Sequence, residues 1–221
     1  MWSEMAIFAL GFLAQLFFFS RMLVQWIMSE REKRIVSPDF FWLCSLIGSI
    51  LFFLYGWLRD DFSIILGQFI SYFIYIWNLD LKGVWNRWHV LIRALILLLP
   101  FVAVYKMTSE AELFVHNFFH NSHVPLWLLI FGSLGQIIFS VRFLYQWLYS
   151  MKQGESILPI GFWVISLIGS GIIVIYACIR LDPVLILSQL GGFITYTRNI
   201  ILGMRHDREE RKEEPISNTH S

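Results

Sequence analysis

One stretch of this chain occurs twice. Residues Gln15 to Asn78 recur without a gap 121 positions later as Gln136 to Asn199, with 23 identities among the 64 aligned positions. The retained residues are the informative ones. Arg21 matches Arg142, Gln25-Trp26 matches Gln146-Trp147, Pro38 matches Pro159, and Phe41-Trp42 matches Phe162-Trp163. Ser45-Leu46-Ile47-Gly48-Ser49 matches Ser166-Leu167-Ile168-Gly169-Ser170, and Tyr55/Tyr176, Arg59/Arg180, Asp61/Asp182, Gln68/Gln189, Tyr75/Tyr196 and Asn78/Asn199 continue the series. A demand for greasiness alone would keep any Leu, Ile or Phe. Shared Arg, Gln, Asn, Pro and Gly mean that one unit was duplicated with its polar machinery, and the two halves are expected to build one site.

The medium for that site is expected to be a lipid bilayer. Of 221 residues 57% are apolar and 15% charged, and the mean hydropathy is +0.62, outside the usual range of soluble domains. Crossing the hydrocarbon core takes ~20 apolar residues per helix. Seven runs qualify, at roughly 5–28, 38–58, 62–82, 90–107, 125–150, 158–178 and 184–203. They are too long for strands and do not alternate. Met1-Trp2-Ser3-Glu4 has no basic n-region, so the first run reads as a permanent helix rather than a cleaved signal. With the N-terminus outside, the inner side holds Arg31, Lys33, Arg34, Lys82, Arg87, Lys152, Arg205, Arg208, Arg211 and Lys212, against Arg59, Lys106 and Arg180 outside. The positive-inside rule therefore gives N-out and C-in. Cys44 and Cys178 fall in spans and do not correspond under the repeat, so both read as buried packing residues.

A repeat of three helices is odd, so a fourth, unpaired helix near 90–107 is needed to restore orientation. The expected fold is an all-α integral membrane protein with seven transmembrane helices in a 3+1+3 parallel-repeat arrangement, its halves related by a pseudo-twofold axis along the membrane normal. Residues 1–82 form the first repeat, 83–124 the linker helix and an outer loop, 125–203 the second repeat, and 204–221 a disordered, densely charged cytosolic tail. Pro38 and Pro159 mark the starts of helices two and six, and Gly48 and Gly169 permit close helix approach.

An ionisable side chain within a bilayer is a functional candidate, because charge in hydrocarbon costs several kcal/mol unless compensated. Arg21, Arg142 and Arg198 qualify, and no Asp or Glu lies well inside any span to pair with them. Arg21 sits seven residues from the inner end of its span at 28, ~10 Å deep at ~1.5 Å per residue. Either it snorkels to the headgroups or its planar fork holds a phosphate or carboxylate. Gln25 and Gln146 follow the two arginines by four residues on the same helical face. Gln68-Tyr72-Tyr75-Asn78 and Gln189-Phe193-Tyr196-Asn199 present matching faces on helices three and seven. These residues suit an anionic-ligand site and equally suit hydrogen bonding between helices. Trp42 and Trp163 are interfacial anchors or platforms for a sugar ring. Arg59-x-Asp61 and Arg180-x-Asp182, in short outer turns, are turn ion pairs or an outer gate. Glu112, His116, His120 and His123 share one segment whose spacing and lack of a duplicate favour a wet loop over a metal site.

The string GQ-x2-F-x2-R-x2-YQW from Gly135 to Trp147 resembles the lipid A biosynthesis N-terminal domain family. So do Pro159-x2-Phe162-Trp163-x2-Ser166, Arg180-x-Asp182-Pro183 and Tyr196-x-Arg198-Asn199, and the first repeat matches with Ala14, Phe62 and Trp77 in place of Gly135, Pro183 and Arg198. The resemblance covers both repeats. The helix plan also looks like that of the SWEET and PQ-loop transporters, although Asp39 and Ile160 stand where the Pro-Gln dipeptide would place glutamine.

The resemblance implies a bacterial inner-membrane carrier or flippase for an anionic, sugar-bearing lipid intermediate of lipid A or envelope assembly. Arg21 and Arg142 would hold phosphate, and Gln25, Gln146, Asn78 and Asn199 the polar head. An alternative is a non-catalytic membrane subunit that anchors a lipid-modifying glycosyltransferase; a third is lipid-A-disaccharide synthase activity itself. No nucleophile motif, phosphate loop, dinucleotide fingerprint or nucleic-acid patch is present, which points away from catalysis, cofactors, metals and nucleic acid.

Overall fold

The computed structural model describes residues 4–58, 62–107, 125–181 and 183–213. Among these, seven α-helices and no strands are found: α1 (Glu4–Glu32), α2 (Asp39–Leu58), α3 (Phe62–Leu81), α4 (Val90–Met107), α5 (Leu126–Gln153), α6 (Ile160–Arg180) and α7 (Pro183–Glu213). A 3-10 turn, Trp85–Arg87, joins α3 to α4. The fold is all-α, and its two copies of three helices flank the single helix α4.

In each copy the middle helix packs between the outer two, α1–α2–α3 and α5–α6–α7. The copies then meet along two seams, α1 against α7 and α3 against α5, which closes a six-helix ring; α4 lies outside on α2 and α3. The close crossings depend on the paired glycines. A Cβ at Gly169 would sit 2.7 Å from the backbone nitrogen of Phe139, and one at Gly48 2.8 Å from the Phe18 ring.

The ring buries polar side chains among aromatic ones and is apolar without. Arg21, Gln25, Ser29, Ser45, Asn78, Arg142, Gln146, Ser150, Ser166 and Asn199 are all buried. Phe8, Phe12, Leu16, Phe19, Leu23 and Ile27 are exposed on α1 at spacings of three and four residues, one continuous face. Two helical segments, Met5–Glu32 and Ile160–Ile179, are long and apolar enough to cross a membrane by length and composition.

Two expectations need correction. The charged segment 204–213 is not disordered: it continues α7 as helix to Glu213. Once α7 is nucleated, extension costs little. The segment 214–221 lies outside the described residues. Cys44 is buried as expected, but Cys178 is exposed on the outer surface. Pro38 and Pro159 mark the helix starts as expected, their carbonyls accepting from the amides of Phe41 and Phe162, each at 3.0 Å.

Repeat-related positions also expose local strain. Gly154 ends α5 at φ 71°, and the equivalent Lys33 holds φ 55° after α1. A side chain in the left-handed region costs ~1 kcal/mol that glycine avoids. Lys33→Gly is accordingly expected to stabilise the fold by about 1 kcal/mol in reversible denaturation, whereas Gly154→Lys should cost a similar amount.

Candidate functional site

Arg21 on α1 and Arg142 on α5 point into the ring, and both side chains approach one aromatic residue. Arg21 Cζ stands 5.5 Å from the Phe143 ring centroid and Arg142 Cζ 4.8 Å from it. Each guanidinium also lies over its own copy of a second ring, Arg21 over Phe18 at 4.7 Å and Arg142 over Phe139 at 3.5 Å. Phe18 and Phe139 precede the arginines by three residues, which puts ring and cation on one helical face, where the ring quadrupole attracts the charge.

Hydrogen bonding leaves both cations short of partners. Arg21 Nη1 donates to Ser45 Oγ at 2.7 Å and to Tyr75 Oη at 3.3 Å. Arg142 Nη1 donates to Tyr196 Oη at 3.3 Å, while Ser166, which like Ser45 donates to the carbonyl four residues back at 2.6 Å, receives no bond from it. The Nε atoms of both arginines are buried without a partner. Among the described residues neither has a carboxylate partner; the ion pairs there are Lys82–Asp39 and Arg198–Glu30. Arg21 lies within the ring rather than on a free face of α1. The helix runs on to Glu32, so the side chain starts about 16 Å from its end at 1.5 Å per residue, and only 7% of it is exposed.

The four conserved amides do something else. Gln25 Nε2 donates to Asn199 Oδ1 at 2.8 Å and Asn199 Nδ2 returns a bond to Gln25 Oε1 at 3.1 Å. Gln146 and Asn78 repeat this reciprocal pair with the same two distances, 2.8 and 3.1 Å. Each pair joins one copy to the other, so the amides clasp the two seams. Ser29 and Ser150 accept from the same glutamines at 2.8 and 2.9 Å. The four amides expected at the polar head thus bond one another across the seams. Gln68 and Gln189 likewise work within each copy, accepting from Ser49 and Ser170 at 2.9 Å.

Tyr75 and Tyr196 belong to the arginine centre, as foreseen. Trp42 and Trp163 do not anchor at an interface: both are fully buried, each beside its tyrosine at 6.2 and 6.1 Å between centroids. Trp42 Nε1 donates to Ser37 Oγ at 2.8 Å, whereas Trp163 Nε1 is orphaned because Leu158 takes the place of that serine. Arg198 leaves the unpaired set. Its Nε and Nη2 both donate to the Glu30 carboxylate, the latter at 2.7 Å. Glu30 sits beyond the span read from sequence, at the α1 end, which hid it as a partner. The mismatch Glu30/Met151, alongside Arg198/Trp77, is the readable signal for that pair.

Of the outer-gate residues, Arg59, Asp61 and Asp182 lie outside the described residues, as does the Arg180 side chain; so do Glu112, His116, His120 and His123.

These features define a tandem-repeat helical protein with an enclosed dibasic centre at the junction of its halves. Residues 10–80 and 131–201 each match the model of the lipid A biosynthesis N-terminal domain, and the chain belongs to that family. It is 32% identical over 97% of its length to a protein named lipid-A-disaccharide synthase from Chlamydia pneumoniae, and 32% identical over 88% to one of the same name from Chlamydia abortus. The chain spans about a third of those relatives, 35% and 32% of their lengths. No solved structure matches it.

Proposed function

We propose that this chain is a carrier that moves an anionic lipid intermediate of lipid A or envelope assembly between the leaflets of a bacterial inner membrane. The chain crosses that membrane seven times, with its N-terminus outside, and Arg21 and Arg142 hold the phosphate of the lipid. The family's name and its lipid A relatives support the pathway; the exposed apolar face of α1 over a polar interior supports the membrane setting. The observation that carries the reading is the buried arginine pair. Two cations sharing one ring, with orphaned Nε donors and no carboxylate partner among the described residues, constitute an electrostatic deficit that an anion would fill.

Reconstituted vesicles test it. Fluorescent phosphatidate in the protein-containing membrane should exchange leaflets faster than in protein-free vesicles, and an uncharged fluorescent diacylglycerol should show no protein-dependent gain. A protein without effect on the phosphatidate would end the carrier reading. The second reading, a membrane subunit anchoring a glycosyltransferase, is favoured by the threefold greater length of the synthase relatives. It expects co-purification with such an enzyme and no lipid exchange. Glycosyl transfer by the purified chain alone would instead establish the third reading, synthase activity.

A further inference from the structure

The two seams of the ring are equivalent under the repeat, yet they are closed by different chemistry. On the α1/α7 seam, Arg198 forks onto both oxygens of Glu30, and Trp26 Nε1 adds a bond to the same carboxylate at 3.1 Å. Both seams share the amide clasp; beside it, on the α3/α5 seam, the same positions carry Trp77, Met151 and Trp147, where Trp77 meets Trp147 edge-on at 6.2 Å between centroids. In a lipid environment such apolar contacts exchange for lipid tails at small cost. Parting the α1/α7 seam would break, in addition to its clasp, the bidentate ion pair and the Trp26 bond.

An outward-facing apolar cavity of about 350 Å³ opens on the second seam, lined by Phe69, Phe73, Ile74, Trp77, Leu144 and Trp147. Tyr75 and Phe143 separate it from the dibasic centre. Ile74 and Leu144 neighbour Tyr75 and Phe143 in sequence, and these two rings meet edge-on at 5.1 Å in front of the arginines.

Resting on the carrier reading above, we propose that the α3/α5 groove is the lateral entry of the lipid. It holds an acyl chain while the phosphate passes between Tyr75 and Phe143 to Arg21 and Arg142. Entry is one-sided because the α1/α7 seam is stapled. An acyl chain fits the wholly apolar lining, and an anionic lipid is the molecule that also answers the uncompensated charge a few residues inward.

The test uses the full chain in phosphatidylcholine vesicles containing phosphatidate with a photoreactive acyl chain, and a matched photoreactive phosphatidylcholine. Phosphatidate labelling should map to Phe73, Trp77, Leu144 and Trp147, several-fold above the α1/α7 seam around Trp26 and Glu30. Leu144→Trp, at a side chain already exposed, should fill the groove and remove most of that labelling while the protein stays folded by its melting profile. Labelling spread evenly over both seams, or concentrated at α1/α7, is annular lipid only and would overturn the groove, leaving phosphatidate exchange intact as support for the carrier. Equal groove labelling by both lipids would uphold the groove as an acyl site and remove the arginine pair as its headgroup anchor.

Discussion

Arg142→Met should abolish recognition of the anionic lipid and at the same time make the protein more stable. Arg142 is buried at 6% exposure, with one weak hydrogen bond at 3.3 Å and an orphaned Nε. A bond from a charged donor to phosphate is worth ~1.5–3 kcal/mol, so its loss should cut phosphatidate exchange roughly 10- to 100-fold. Replacing a buried, uncompensated charge by an apolar side chain of similar length should stabilise by about 1–4 kcal/mol. Arg21→Met should lose as much exchange but gain less stability, because Arg21 has a 2.7 Å bond to Ser45 to forfeit. Arg142→Lys should retain part of the exchange, since charge survives while the planar fork does not. Exchange assays and thermal melts on the same preparations check both halves. An arginine kept for structure would give the reverse, a less stable protein that still recognises the lipid.

The second large effect concerns the clasps. Gln25→Leu leaves the Asn199 amide facing an apolar group, a loss of about 1–3 kcal/mol for a buried unsatisfied partner. Asn199→Leu does the same to Gln25, although Gln25 keeps Ser29 at 2.8 Å and the Val36 carbonyl at 3.3 Å. The double substitution should recover part of the loss, because neither amide is then left facing an apolar group, although the Val36 carbonyl loses its donor. A coupling of about 1 kcal/mol in the cycle is expected, in the range of interhelical bonds in membranes. Purely additive losses would mean that the amides do not meet across the seam.

The duplication made the fold readable and only half of the site. Helix count, the 3+1+3 plan and the inward arginines with Tyr75 and Tyr196 follow from periodicity and from which polar residues recur. The partners of those residues do not, because a repeat reports what is shared within each copy and is silent about contacts between copies. Gln25 and Asn78 belong to one copy but bond Asn199 and Gln146 of the other. The aromatic shell was legible in part: Phe18/Phe139 is one of the identities, three residues before each arginine, whereas Phe143 stands opposite Met22 and gave no signal. The divergent pairs carried more than ancestry. Arg198 opposite Trp77, with Glu30 opposite Met151, separates a stapled seam from an apolar one, and Ser37 opposite Leu158 decides which buried tryptophan has an acceptor.

Function rests on whether the dibasic centre handles a lipid phosphate, and a lipid survey resolved by membrane leaflet reads that in the cell. Cells lacking this protein should accumulate one phosphorylated glycolipid on the cytosolic side. Wild-type protein should clear it, and Arg142→Met, though stable and inserted, should not. An unchanged leaflet distribution, with rescue of any other defect by Arg142→Met as full as by the wild type, would contradict the assignment of Arg21 and Arg142 as the phosphate site.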